Sequence, residues 1–146
     1  MSKIFRHKDK HGSYQLDFKN NILRALVIGA IGDSLSRHFH ADVLTLVTGE
    51  DSHPWAYYGD LLLCDGATFQ AEQSILNANI FSTKNGCCID AYRLQSPLVK
   101  DQIARIRAKT GVKTKLEEHT FDTENEALTF LHKQLKLYVL NHSELK

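Results

Sequence analysis

Aspartates, cysteines and histidines near the ends of regular elements are the side chains of this chain from which chemistry could be built. Asp60, Asp65 and Asp90 fall at or near strands. A pair of such carboxylates can do acid–base work or hold Mg²⁺, so an enzyme in this chain would use Asp60 or Asp65, in the loops after an aromatic-rich strand. A cysteine nucleophile needs a nearby histidine and a helix N-terminus to lower its pKa. Cys64 stands at a strand end without a histidine in sequence reach, and Cys87 and Cys88 are adjacent in a strand, so their side chains face opposite sides. Of the eight histidines, His38 and His40 are two apart on a helix and point to different sides, while His7 and His11 lie in the N-terminal segment. The sequence contains no HExxH or Cys/His quartet, no GxxxxGK[ST] or GxGxxG phosphate cradle and no GxSxG elbow. It gives no catalytic residue, no metal site and no cofactor.

Composition narrows the class further. The 146 residues carry 18 Lys+Arg against 17 Asp+Glu, a formal net charge of +1, which argues against an electrostatic grip on nucleic acid or on an anionic membrane. Arg105, Arg107, Lys109, Lys113 and Lys115 make the middle of the chain basic, but basic side chains in a last helical turn serve the helix dipole. Nucleic-acid recognition would need interleaved aromatics or a reading motif. No apolar run approaches the roughly 18 residues of a membrane span. The basic first twelve residues lack the apolar core of a signal peptide and are expected to be flexible. Three cysteines without CxxC spacing fit a reduced, cytoplasmic setting.

The elements that would position these groups follow from periodicity. Tyr14, Leu16 and Phe18 alternate as a strand, Asn20 and Asn21 form a turn, and the β-branched run from Ile22 to Ile31 is its hairpin partner. Leu35, Phe39, Val43 and Leu46 mark one face of a helix that ends near Gly49. Trp55 to Asp60 is a third strand, extending toward Leu63. A helix capped by Thr68 or Asp65 follows, with Phe69, Glu72, Leu76 and Ile80 on one side. Asn85 and Gly86 turn into a strand from Cys87 to Leu94, and Ser96 and Pro97 open a helix whose inner face is Val99, Ile103 and Ile106. Lys113 to Thr120 is expected as a polar edge strand. Thr123 and Glu126 form a capping box for a last helix reaching about Leu140, with residues 141–146 a frayed tail. The expected fold is one α/β domain over residues 1–146, with order ββαβαβαβα: a single-layer, mixed five-stranded sheet with four crossover or closing helices.

This order resembles the SpoIIAA-like family of the STAS superfamily. Phe121, Glu126, Ala127, Phe130 and Leu131 stand where that family closes with an aromatic, Glu-Ala and an aromatic-Leu pair. Pro54, Trp55, Tyr57, Tyr58, Gly59 and Asp60 resemble its third strand. The resemblance implies a non-catalytic regulatory or binding module, and it implies a phospho-acceptor at the start of the helix after the third strand. The family's Asp-Ser-Ser-Gly pattern is absent there, and the counterpart is Asp65, Gly66, Ala67 and Thr68. Thr68 is thus the candidate phospho-acceptor of a partner switch of the anti-sigma-antagonist type, set against its plain role as an N-cap. The resemblance also implies a hold on an apolar small molecule. Trp55, Tyr57, Tyr58, Asp60 and Asp65 are the candidate ligand or partner site, because the aromatics together with Leu61, Leu62 and Leu63 exceed what one short strand buries. An exposed apolar strip on the sheet edge or the first helix would point to a homodimer.

Overall fold

The computed structural model describes residues 3–48 and 54–143. The chain runs β1 (Ile4–Lys8), β2 (Gly12–Lys19), β3 (Ile22–Ile31), α1 (Asp33–Thr48), β4 (Trp55–Asp60), β5 (Cys64–Ala67), α2 (Phe69–Lys84), β6 (Cys87–Arg93), α3 (Pro97–Lys109), a 3₁₀ turn (Leu116–His119) and α4 (Glu124–Ser143). The six strands form one mixed sheet in the order β1-β2-β3-β4-β6, antiparallel as far as β3 and parallel beyond it. β3 is long enough to take two parallel neighbours in succession. Its first half pairs with β4, and after a register shift at Gly29 its end pairs with β5.

The β2–β3 turn is fixed by Asn20 and Asn21, at φ 54° and 62°, the left-handed pair that a two-residue hairpin requires. At the other end of that hairpin Gly12 faces Gly29. A Cβ on Gly12 would lie 2.4 Å from the Ala30 carbonyl oxygen, so only glycine permits this approach. The sheet splits the core in two. On one face Leu16, Leu23, Val27 and Trp55 pack with Leu35, Phe39, Val43 and Leu46 of α1 and Val99 of α3. On the other, Ile22, Ala56, Tyr58 and Ala91 pack under Ala127, Leu131 and Leu135 of α4. The helical face read from Leu35 to Leu46 is buried throughout. Ser96 and Pro97 cap α3 as their types require, and Thr123 Oγ1 accepts from the Glu126 N–H at 3.1 Å.

Four segments differ from the sequence expectation. Residues 4–8 form an edge strand where a flexible leader was expected. Asp9 accepts from the N–H groups of His11 and Gly12 and closes the hairpin, while Phe5 packs on the core. Cys64–Ala67 is a short sixth strand. Residues 113–120 are not a strand: the buried Arg107 guanidinium donates to the carbonyl and hydroxyl oxygens of Thr114 and draws the segment onto α3, leaving a 3₁₀ turn and one bridge between Tyr92 and Thr120. α4 continues through Ser143, past the expected onset of fraying at 141. The expected helix stop at Gly49 and residues 144–146 lie outside the described residues.

Candidate functional site

The aromatic strand β4 divides its side chains between the two cores. Trp55 is buried against Phe18 and donates its indole N–H to the Asn85 carbonyl at 2.8 Å. Tyr58 is buried under α4 on the opposite face. Tyr57 packs beside Tyr92, and burial holds its hydroxyl well above the ordinary tyrosine value. Of the five candidate ligand residues only Tyr57 reaches the apolar cavity between the sheet and helices α2 and α3. That cavity measures about 60 Å³ and is walled by Val27, Phe39, Ile75, Ile103 and Ile106 among others. It is smaller than the roughly 150 Å³ that accommodates benzene, so in this form it holds at most a ligand of a few atoms.

The aspartates separate in the same way. Asp60 ends β4 and pairs with Arg93 at 3.2 Å. Asp65 is exposed in β5, and no hydrogen bond joins it to Asp60 among the described residues. Asp90 is committed inside the protein. Its carboxylate accepts two bonds from Arg107, at 2.8 and 3.1 Å, and one from the Tyr92 hydroxyl at 2.8 Å. The His119 Nδ1–H donates to the Asp90 carbonyl at 2.7 Å. Arg107 is only 4% exposed and bonds Thr114 as well. From the sequence Arg107 is one of a basic stretch whose last-turn side chains serve the helix dipole. Its i, i+4 neighbourhood carries nothing to show that it turns inward, because its partner Asp90 is 17 residues away.

The thiols are not activated. Cys87 and Cys88 pack on opposite faces of the sheet, as their adjacency in a strand requires. Burial pushes the Cys88 thiol up to about 11 and raises Cys64 and Cys87 as well. Among the described residues no three His, Cys, Asp or Glu side chains gather as a metal would need.

Three exposed apolar side chains follow the C-terminal ends of the parallel strands. Leu63, in the β4–β5 loop, is 59% exposed; Phe69, the first residue of α2, is 74% exposed; Leu98, at the start of α3, is 53% exposed. The backbone beneath them is held from several sides. Gln102 of α3 donates to the Ala67 carbonyl and accepts from its N–H, Gln95 donates to the Leu62 carbonyl, and the Thr68 N–H donates to Ile31. A Cβ built on Gly66, at φ 115°, would lie 2.9 Å from the Leu98 side chain, which places Leu98 over the β5–α2 corner. Thr68 is exposed and caps α2, accepting from the Ala71 N–H at 3.2 Å. Phe69 was read on one side of α2 together with Glu72, Leu76 and Ile80. α2 is seated with Ala71, Glu72 and Ala78 inward and Phe69 outward. Leu98 carried no sequence signal.

No protein-family model matches the chain, and a search of curated proteins finds no match. Solved structures do match. An uncharacterized DUF3478-family protein of Shewanella loihica PV-4, described as having a SpoIIAA-like fold, aligns at TM-score 0.57 and 15% identity over 89% of this chain and 93% of its own. The anti-sigma factor antagonist SpoIIAA in its unphosphorylated form aligns at 0.61 and 13%, over 82% of this chain and 96% of its own. An anti-sigma factor antagonist from Mycobacterium paratuberculosis aligns at 0.56 and 14%, over 89% and 95%. Among the described residues no helix is long and apolar enough to cross a membrane. With the mixed sheet, the three helices on one face and the closing helix on the other, the chain has a SpoIIAA-like fold.

Proposed function

We propose that this chain is a non-catalytic, cytoplasmic regulatory module that binds a partner protein through Leu63, Phe69 and Leu98. What supports this reading is that three large apolar side chains, each more than half exposed, follow the ends of three parallel strands over a backbone pinned by Gln95 and Gln102. Exposed apolar clusters with polar rims mark interaction sites, and rigid aromatic anchors supply most of the affinity. Two of the structurally similar proteins are described as anti-sigma factor antagonists. Fold analogy of this kind supports the regulatory class by association. The enzyme reading is the weaker one, because Asp60 is neutralised by Arg93 and Asp65 stands apart on the surface. The apolar-ligand reading is limited by the size of the cavity beside Tyr57.

Phe69→Asp tests the reading cleanly. An acidic residue suits the first position of a helix, so the thermal melt should stay within a few degrees of wild type. Capture of partner protein from the native host should fall about tenfold or more, the scale of a lost hot spot. Equal capture by both forms would exclude this surface. A partner switch at Thr68 is favoured by one further observation: its hydroxyl is exposed at a helix N-terminus, where added phosphate charge is stabilised. Intact-mass analysis of protein from its own host, with the site mapped by fragmentation, tests it. Phosphate on Thr68 supports the switch, and protein that stays unphosphorylated across growth conditions removes it.

A further inference from the structure

Beside the first turn of α4 the sheet carries a cleft of about 260 Å³, lined by Asp17, Arg24, Leu26, Tyr58, Asp60 and Glu124 among others. Tyr58 is only 1% exposed, and its hydroxyl is the buried side-chain oxygen without a hydrogen-bond partner among the described residues. Burial first, and then the charges of Asp60 and Glu124, push its titration upward, while Arg93 opposes them. The hydroxyl therefore stands among the charged side chains of the cleft. Those charges do not cancel. Arg24 makes its short bonds to Asp17, at 2.8 and 2.9 Å, and Arg93 pairs with Asp60 at 3.2 Å. Glu124 is left 3.4 Å from Arg24, the third carboxylate of a group with two guanidiniums. The N-terminus of α4 offsets about half a unit of that charge.

We propose that this cleft binds a small primary amine as its ammonium ion, with the nitrogen between the Tyr58 hydroxyl and the Glu124 carboxylate and the carbon chain along Leu26. A buried hydroxyl without a partner calls for a bound group that the protein itself does not supply. A water would satisfy the hydroxyl but leave the carboxylate charge uncompensated, and an anion would be repelled by it. A metal ion needs several close ligands, and among the described residues no three carboxylate, histidine or cysteine side chains gather as one would need. An ammonium group is a compact, donor-only cation. It can donate to a hydroxyl and a carboxylate at once and needs no third ligand. Leu26, 38% exposed, gives a short alkyl chain an apolar wall. The cleft is smaller than the roughly 300 Å³ at which pockets for drug-sized ligands begin, so the amine has few carbons. It lies on the opposite side of the sheet from α2, and the inference does not rest on partner docking at Phe69.

An NMR titration of the isotope-labelled full chain with n-butylammonium chloride tests the proposal, with potassium chloride and n-butanol as controls. The backbone amides of Leu26, Asp60 and Glu124 should shift together and saturate, with a dissociation constant on the order of 1 mM, as suits so small a ligand. Potassium chloride at the same ionic strength, and n-butanol, should leave them in place. Glu124→Gln should weaken binding about tenfold, the scale of a bond to a charged group, and Tyr58→Phe about threefold, the scale of a neutral one. Glu124 is half exposed and Tyr58→Phe keeps the ring, so both variants should retain the wild-type amide pattern elsewhere. Shifts that are absent or fail to saturate up to about 50 mM would overturn the proposal. So would equal shifts with potassium, which mark an adventitious ion only, or binding indifferent to Tyr58→Phe, which marks loose pairing with a surface carboxylate.

Discussion

The Tyr58 hydroxyl is the buried side-chain oxygen without a hydrogen-bond partner among the described residues. The Arg93 guanidinium lies near enough to oppose the upward push of burial on its titration without completing a bond. A buried polar group left unsatisfied costs about 1–3 kcal/mol. Tyr58→Phe removes that group and keeps the ring under α4, so the urea midpoint should hold or rise; a loss above about 1 kcal/mol would mean that the hydroxyl has a partner in solution. Arg107 is the opposite case, a buried charge whose bonds go to Asp90 and Thr114. Arg107→Ala leaves Asp90 uncompensated and should destabilise by about 3–5 kcal/mol. Removing Asp90 in the same molecule should add less than its separate effect, because the two act as one unit. Additive losses in urea unfolding would contradict the network.

Between elements, α2 and α3 are joined by Glu72 and Arg105, whose guanidinium donates twice at 2.8 and 3.1 Å. The Arg105 hydrogen bonds hold the Glu72 carboxyl below its ordinary value of 4.5, against the opposing effect of burial. A carboxyl lowered in the folded state stabilises the fold above its unfolded pKa, and that contribution is lost as the pH falls through the folded value. The stability gap between wild type and Glu72→Gln should therefore be full at neutral pH and close as the pH drops below 4.5. It should also narrow in high salt, since Arg105 is half exposed. A gap that persists in acid would assign it to packing. The parts of the fold legible in the sequence are those set by local rules: the Asn20–Asn21 hairpin, the Leu35–Leu46 face of α1, and the caps at Thr68 and Ser96. The parts that were not legible depend on distant partners. β1 is held by Phe5 in the core and by His7 stacked on His38 and 3.2 Å from Asp42; none of these is visible in a short basic segment. Residues 113–120 were read as a polar edge strand, but the Arg107 bonds to Thr114 hold the segment on α3. Of the candidate site, Thr68 could be read as a cap, whereas the outward turn of Phe69 depends on how the whole of α2 is seated.

At the scale of the molecule, Leu63 in the β4–β5 loop, Phe69 of α2 and Leu98 of α3 each follow the C-terminal end of a parallel strand and are exposed. α4 lies across the opposite face, with Leu137, Val139 and Leu140 exposed. Partner binding is proposed at the surface of Phe69 and not on the outer side of α4. Photo-crosslinking in the native host measures that difference directly, with a benzophenone amino acid placed once at Phe69 and once at Leu137. The account predicts a discrete heterologous adduct from position 69 that is absent from position 137. The same adducts from both positions, or none from position 69, would contradict it.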